Sequence, residues 1–298
     1  NTPYGKVIPT YHPSWLMKGE NAQIMYPFVD FDIGKAVKES ATSTHSPPKE
    51  DFNISPSLEE IKEITRLALR ERKVAIDIET SGGSWWNTAP LCIGFYFQQA
   101  NHAICVPFFG KDGVAIWNAG DFDEVIASVG EVLADERVAK IFQNGNYDIK
   151  VLESTGFIVN NFAFDTMIAH HAIIAEKGVP HDLAFIASIY TDFPFYKDDV
   201  KGEDNFALLD EATLRTYNCR DVAVTGNAAV ELDKEVDEFH VRQTFEQDMK
   251  MLRPMMALET RGILVDKDLL ESYRRDLDAE IADHQKSLQL ALGSDFNF

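Results

Sequence analysis

A chain of 298 residues, 45 % of them apolar, is long enough for about two domains and a substantial core. Its formal net charge of −20 excludes a binder that works through a basic patch: nucleic acid would have to be met through bound cations and local contacts. No run approaches the ~18 apolar residues of a membrane span, and no signal peptide opens the chain, so a cytoplasmic protein is expected.

Residues 38–57, "KESATSTHSPPKEDFNISPS", are rich in Ser, Thr and Pro and lack a periodic apolar face, as a linker does. Ser57 then caps an amphipathic helix, "LEEIKEITRLALRE", with Glu60 at capping-box spacing. Strands are expected at 73–79, at about 90–98 and at 102–107, the last two joined by a short turn, which gives a three-strand meander. A helix at about 121–134 leads to the apolar strand "VAKIFQN" and to a helix starting near Asn146. Asp165 and Thr166 open another helix as its cap, 181–190 is helical, and 210–237 forms one or two helices. Three strands followed by alternating helix and strand imply an α/β layer fold with a mixed sheet. Cys92, Cys105 and Cys219 are an odd number, fall inside these elements and lack metal-site spacing; they are expected as core thiols in a reducing compartment. His170 and His171 lack a third ligand at metal spacing and read as ordinary helix residues.

After Asp237 come a helix, a Gly turn with a short strand-like "ILVD", and a long charged helix. This tail is expected to be a separate helical unit. The chain starts at Asn1 without Met and stops at "LGSDFNF" after a long helical pattern, so it reads as a piece of something larger.

The chemistry lies in the acids. In "VAIDIETSGG", Val74, Ile76 and Ile78 alternate with Ala75, Asp77 and Glu79, so both carboxylates point to one face of a strand. Like charges this close raise a pKa or demand a partner; a solvated strand end, a distant ion pair or a metal would each answer. "IFQNGNYDIKVLEST" puts Asn144, Tyr147 and Asp148 at a strand-to-helix junction, where an acid can complement the helix dipole or do more. "LRTYNCRDVAVT" sets Tyr217 and Asp221 four apart on one helix face, which by itself is common surface chemistry.

Taken in order, "VAIDIET", "QNGNYDIKVL", "FAFDTMIAHH" and "YNCRDVAVT" resemble the 3′→5′ exonuclease superfamily with four metal-site acids and a tyrosine in its third motif. More narrowly, they resemble the proofreading domain of family A DNA polymerases. The histidine form of that motif would need His five residues before Asp221, where Thr216 stands. The resemblance covers about residues 55–238 and implies an RNase H-like fold, a mixed five-stranded sheet flanked by helices, with a C-terminal helical extension. "MLRPMMALETRGILVDKDLLESYRRDLDAEI" is similar to the passage into the polymerase domain of that family, with Glu259, Gly262 and Asp266 in its recurring pattern, and "FNF" to the start of the next polymerase segment. "VIPTYHPSWLMK" is similar to the closing histidine motif of uracil-DNA glycosylases, which makes His12 a remnant without activity. The expected domains are 1–54, remnant and linker; 55–238, exonuclease; and 239–298, the start of a truncated polymerase domain with no synthetic activity of its own.

The resemblance implies two divalent ions, Mg²⁺ or Mn²⁺, held by Asp77, Glu79, Asp148 and Asp221. Asp77 would bridge both metals, Glu79 and Asp221 would hold the one that activates water, Asp148 would support the second, and Tyr217 would orient the nucleophile. Such enzymes splay the last bases of a single strand onto aromatic wedges: Trp85 and Trp86 are the candidates, then Phe193, Phe195 and Tyr196. Thr80, Asn144 and Tyr147 are further candidates for substrate contact. The implied partners are a single-stranded DNA 3′ end and the polymerase portion of a parent chain in a bacterial or phage-type replication machinery, with no membrane. An RNase D-like exoribonuclease shares the four acids, and a scaffold that has lost activity is the third reading.

Overall fold

The computed structural model describes residues 6–17, 21–44, 46–110, 112–197 and 209–293. The segment "FNF" lies outside the described residues. Two compact units result, Asn1–Pro254 and Met255–Phe298.

The first unit is built on a six-stranded mixed sheet in the order β1-β4-β3-β2-β5-β6. Its strands are β1 (Phe52–Asn53), β2 (Lys73–Thr80), β3 (Pro90–Phe97), β4 (His102–Pro107), β5 (Ala139–Phe142) and β6 (Phe162–Asp165). β2, β3 and β4 form the expected antiparallel meander, while β5 runs parallel to β2, β6 to β5 and β1 to β4. The expected five strands are thus joined by a sixth: Phe52 and Asn53, in the supposed linker, pair with Ala103 and Ile104 at the sheet edge. The linker also begins later than its composition indicates, because a helix α1 (Asn21–Glu39) runs into it. Phe28 of α1 meets Phe185 edge-on at 5.1 Å, and Lys35 donates to the Ser188 carbonyl.

Helix α2 (Leu58–Glu71) starts at a complete capping box: Ser57 accepts from the Glu60 amide while the Glu60 carboxylate accepts from that of Ser57, a cap worth about 1 kcal/mol. α2 packs on α3 (Ala119–Ala134) and on β2 and β3. A single long helix, α7 (Glu211–Glu238), lies along β2, β3 and β4. Close approach is possible there because Gly94 of β3 has no side chain: a Cβ would stand 2.4 Å from Asn218 Oδ1 and 2.9 Å from Val222 Cγ1. The three cysteines are free and buried, and join Ala75, Tyr96 and Val222 in the core between α7 and the sheet.

Short helices α4 (Asn146–Ser154), α5 (Thr166–Ile173) and α6 (Leu183–Tyr190) complete the layer. Helix α8 (Arg242–Arg261) carries Pro254 in its interior. Its first half belongs to the first unit, because Phe245 is buried against Phe164 and α7 residues, with Met249 beside it. The compact unit therefore extends past residue 238. In the second unit Gly262 takes φ 64° at the helix end, and Asp266 accepts from the Leu269 amide to cap α9 (Lys267–Leu292). The Gly and Asp of that sequence pattern are a helix stop and a helix start. The strand-like "ILVD" forms no strand; with no neighbouring strand to pair with, Ile263, Leu264 and Val265 are exposed.

Candidate active site

The site grows from strand alternation on β2. Ala75, Asp77 and Glu79 share a face, and Ala75 marks it as the α7 side. From α7, Asp221 comes down onto the same place. Ligand atoms of Asp77, Glu79 and Asp221 lie within 4.8 Å of one another. Asn218, on the same helix, donates from Nδ2 to Asp77 Oδ2 at 2.9 Å. Asn218 is not among the residues the sequence motifs single out; its signal is a polar side chain, fully buried, among the apolar and small residues Cys219, Val222 and Ala223 of the same helix.

Asp148 stands beside the three. It lies in the first turn of α4, accepts from the Ile78 amide, and leaves a buried Oδ2 without a hydrogen-bond partner. Its helix starts where Asn144, at φ 53°, and Gly145 turn the chain out of β5. Their amides donate to Asp165, at 3.2 Å and 2.8 Å. Asp165 also accepts from Met167 and Ile168 as the cap of α5, so one buried carboxylate fastens the turn that aims Asp148. Asn144 thereby shapes the turn through its backbone.

Burial is the first cause of every carboxyl shift in the site. It pushes Asp77 up to about 8, helped by the Asp221 charge and opposed by Lys197 and the Asn218 bond. Glu79 is held well above its usual range by burial and then by Asp77 and Asp221, and Asp148 by burial and then by Asp77, Asp165 and Asp221. Asp221 is also raised by burial, although Lys197 and two tyrosine hydroxyls favour its charged form. Four acids that resist ionising together are poised for a cation. The set contains only hard oxygen donors, and Asp148 Oδ2 is buried without a hydrogen-bond donor; both fit a divalent ion of the Mg²⁺ or Mn²⁺ kind.

Tyr217 is buried above this cluster. Burial, then the Asp221, Glu79 and Asp77 charges, raise its phenol far beyond the usual value, so it keeps its proton. Two residues of the segment before residue 198 bond the cluster: Lys197 Nζ donates to both Asp221 oxygens and to the Tyr217 hydroxyl, and Tyr196 donates to Asp221. Tyr196 is thus a buried partner of the cluster and cannot present its ring as a wedge. Phe193 packs into the core beside it, whereas Phe195 is exposed.

The other candidates gather on the loop after β2. Tyr147 bonds Thr80 Oγ1 at 3.2 Å and the Gly83 carbonyl at 3.3 Å. Beyond it Trp85 and Trp86 meet edge-on at 5.5 Å, with Trp86 exposed.

A mixed sheet with acids on a central strand, met by an acid from a helix laid across it, is the arrangement of the RNase H-like fold. The family model described as 3′-5′ exonuclease, that of A-type DNA polymerases, matches residues 52–237. The chain belongs to this family: residues 52–237 form a 3′-5′ exonuclease domain of the A-type DNA polymerase kind. It is 26 % identical over 211 residues to a DNA polymerase I of Synechocystis sp., a match that takes in 67 % of this chain and 20 % of that protein. It therefore spans about a fifth of the length of that relative. Among solved structures, the POL domain of Pol1 from M. smegmatis, in complex with DNA primer-template and dNTP, aligns over 83 % of this chain and 38 % of its own at TM-score 0.61 and 13 % identity. Escherichia coli RNase D aligns over 73 % of this chain and 52 % of its own at TM-score 0.52 and 14 % identity. Among the described residues no helix is long and apolar enough to cross a membrane.

Proposed function

We propose that this domain hydrolyses single-stranded DNA from its 3′ end to nucleoside monophosphates in a metal-dependent reaction, as the proofreading part of a longer family A polymerase. The observation that carries the reading is the convergence of Asp77, Glu79 and Asp221 within 4.8 Å, with the unpartnered Asp148 oxygen alongside. These four would hold divalent ions, Mg²⁺ or Mn²⁺. A divalent ion held there would supply charge to offset that of the phosphate and would make a water more acidic. The chain's own residues do the rest. Asn218 fixes the Asp77 carboxylate, the Asp165-fastened turn fixes Asp148, and Tyr217, whose phenol is raised by burial and by the neighbouring carboxylates, would donate a hydrogen bond to an attacking oxygen. Trp86 and Phe195 offer exposed rings on which unpaired bases could stack.

The acidic chain disfavours long-range capture of DNA, which fits a domain that receives its strand from elsewhere in a parent protein. Residues 1–54 are read as a glycosylase-like remnant with linker, 55–238 as the exonuclease and 239–298 as the start of the polymerase part. The deciding assay is release of mononucleotides from 3′-labelled single-stranded DNA and a matched RNA, with Mg²⁺ or Mn²⁺ against EDTA. Metal-dependent loss of 3′ nucleotides, faster on DNA, is the expected result. Preference for RNA would favour the RNase D-like reading, and inactivity of folded, metal-free-staying protein would leave a scaffold.

A further inference from the structure

Lys197 Nζ has three protons and three acceptors: Asp221 Oδ1 at 2.8 Å, Asp221 Oδ2 at 2.7 Å and the Tyr217 hydroxyl at 2.6 Å. It also lies 4.5 Å from the centre of the Tyr217 ring and 5.1 Å from that of Tyr196, so two aromatic faces add to its seat. Its side chain is about a fifth exposed, whereas that of Asp221 is buried. The ammonium covers both oxygens of the one acid that α7 contributes to the cluster. It is also the base whose charge acts on Asp77, Glu79 and Asp221 alike. A lysine is a compact charge on a flexible stem, and this one enters from Thr191–Lys197, a segment without a regular helix or strand up to Lys197 itself.

We propose that Lys197 is a displaceable internal counter-ion: it holds the Asp221 carboxylate that a divalent ion would need, and metal uptake is an exchange in which the ammonium leaves. This rests on the metal-dependent reading above. Removing four buried acids from water without a cation is costly, so a built-in cation keeps the metal-free chain folded with its ligands assembled. The same contact competes with the incoming ion and lowers its affinity. Metal occupancy and the position of the Tyr196–Lys197 segment are thereby coupled.

The full 298-residue chain and its Lys197→Gln variant should be titrated with Mn²⁺ by calorimetry, with thermal unfolding in EDTA and in saturating Mn²⁺. The variant should bind Mn²⁺ about tenfold more tightly, melt lower than wild type in EDTA, and gain more from the metal. Equal or weaker affinity, with the same melting deficit in both conditions, would make Lys197 only a structural support and overturn the proposal. Because Lys197→Gln could fail to fold, lysine acetylation of the wild-type chain, read by mass spectrometry, supplies the second arm. Modification of Lys197 should rise several-fold on adding Mn²⁺ while Lys62 and Lys234, paired on the surface, stay constant; no rise at Lys197 sinks the exchange. Absence of any Mn²⁺ binding in wild type and variant alike would remove the metal reading itself, a different outcome from equal binding by both.

Discussion

Two buried aspartates stand at neighbouring strand-to-helix junctions, Asp148 after β5 and Asp165 at the end of β6, and are 8 % and 1 % exposed. Their surroundings are opposite. Asp165 accepts from four backbone amides, those of Asn144, Gly145, Met167 and Ile168, each of which opposes the effect of burial on its pKa. Asp148 accepts from one, at Ile78, and meets three carboxylates whose charges add to the effect of burial. Burial alone therefore does not separate a structural acid from a site acid. The nature of the neighbours does: donors make Asp165 a fastening, and like charges leave Asp148 in need of a cation.

Replacing each aspartate should break the pair apart. Asp165→Ala orphans several buried amides at ~1–3 kcal/mol each, so a loss of about 3–5 kcal/mol in urea unfolding is expected. A loss under 1 kcal/mol would mean that the turn holds itself. Asp148→Asn keeps an acceptor for the Ile78 amide and removes a charge repelled by its neighbours, so stability in EDTA should hold or rise. Nuclease turnover in Mg²⁺ should fall about 10²–10³-fold, the scale of one lost electrostatic contact to the reacting group. Unchanged turnover would take Asp148 out of the site.

The pH dependence of stability sharpens the contrast further. For a carboxyl raised on folding, the native state keeps a proton that the unfolded chain has already lost, so stability falls as pH rises between the two pKa values. For Asp77 that window runs from its ordinary value of 3.8 to about 8. In EDTA the urea midpoint should drop between pH 5 and pH 8, and Asp77→Asn should flatten the drop. Saturating Mg²⁺ should flatten it too, because a cation replaces the proton. A slope identical in wild type and Asp77→Asn would show that other groups set it.

Much of this was legible in the sequence, and the reasons differ by residue. Asp77 and Glu79 were readable because strand alternation is exact over a short range, and Tyr217 with Asp221 because four residues make about one helical turn. The six-stranded sheet was only partly readable: Phe162–Asp165 is four residues long and ends in the cap of the next helix, which hides a strand behind a helix signal, and β1 is two residues inside a Pro-rich stretch. Tyr196 reads in the sequence as a candidate wedge, and the bonds of Lys197 and Tyr196 to Asp221 could not be read at all. They reach Asp221 from more than twenty residues upstream, and no periodicity links a loop lysine to a helix aspartate. "ILVD" misled for the converse reason: β-branched composition favours a strand only where a partner strand exists.

The smallest expected effect falls on the loop after β2. Trp86 is 68 % exposed, and so large an apolar ring in water contributes little to folding. Trp85 differs: its carbonyl accepts from Ser154 Oγ, and Lys150 Nζ stands 5.7 Å from its ring centre, so it fastens the loop to α4. If Trp86 serves a base, Trp86→Ala should raise KM for single-stranded DNA about tenfold, within the ~1–3 kcal/mol of one base stack, and leave stability within ~0.5 kcal/mol. Trp85→Ala should raise KM and also lower stability, since it loosens the support as well as the stack. A Trp86→Ala enzyme with unchanged KM and a lowered melting point would reverse the assignment, making the exposed ring a part of the fold and leaving Phe195 as the exposed aromatic next to be tested.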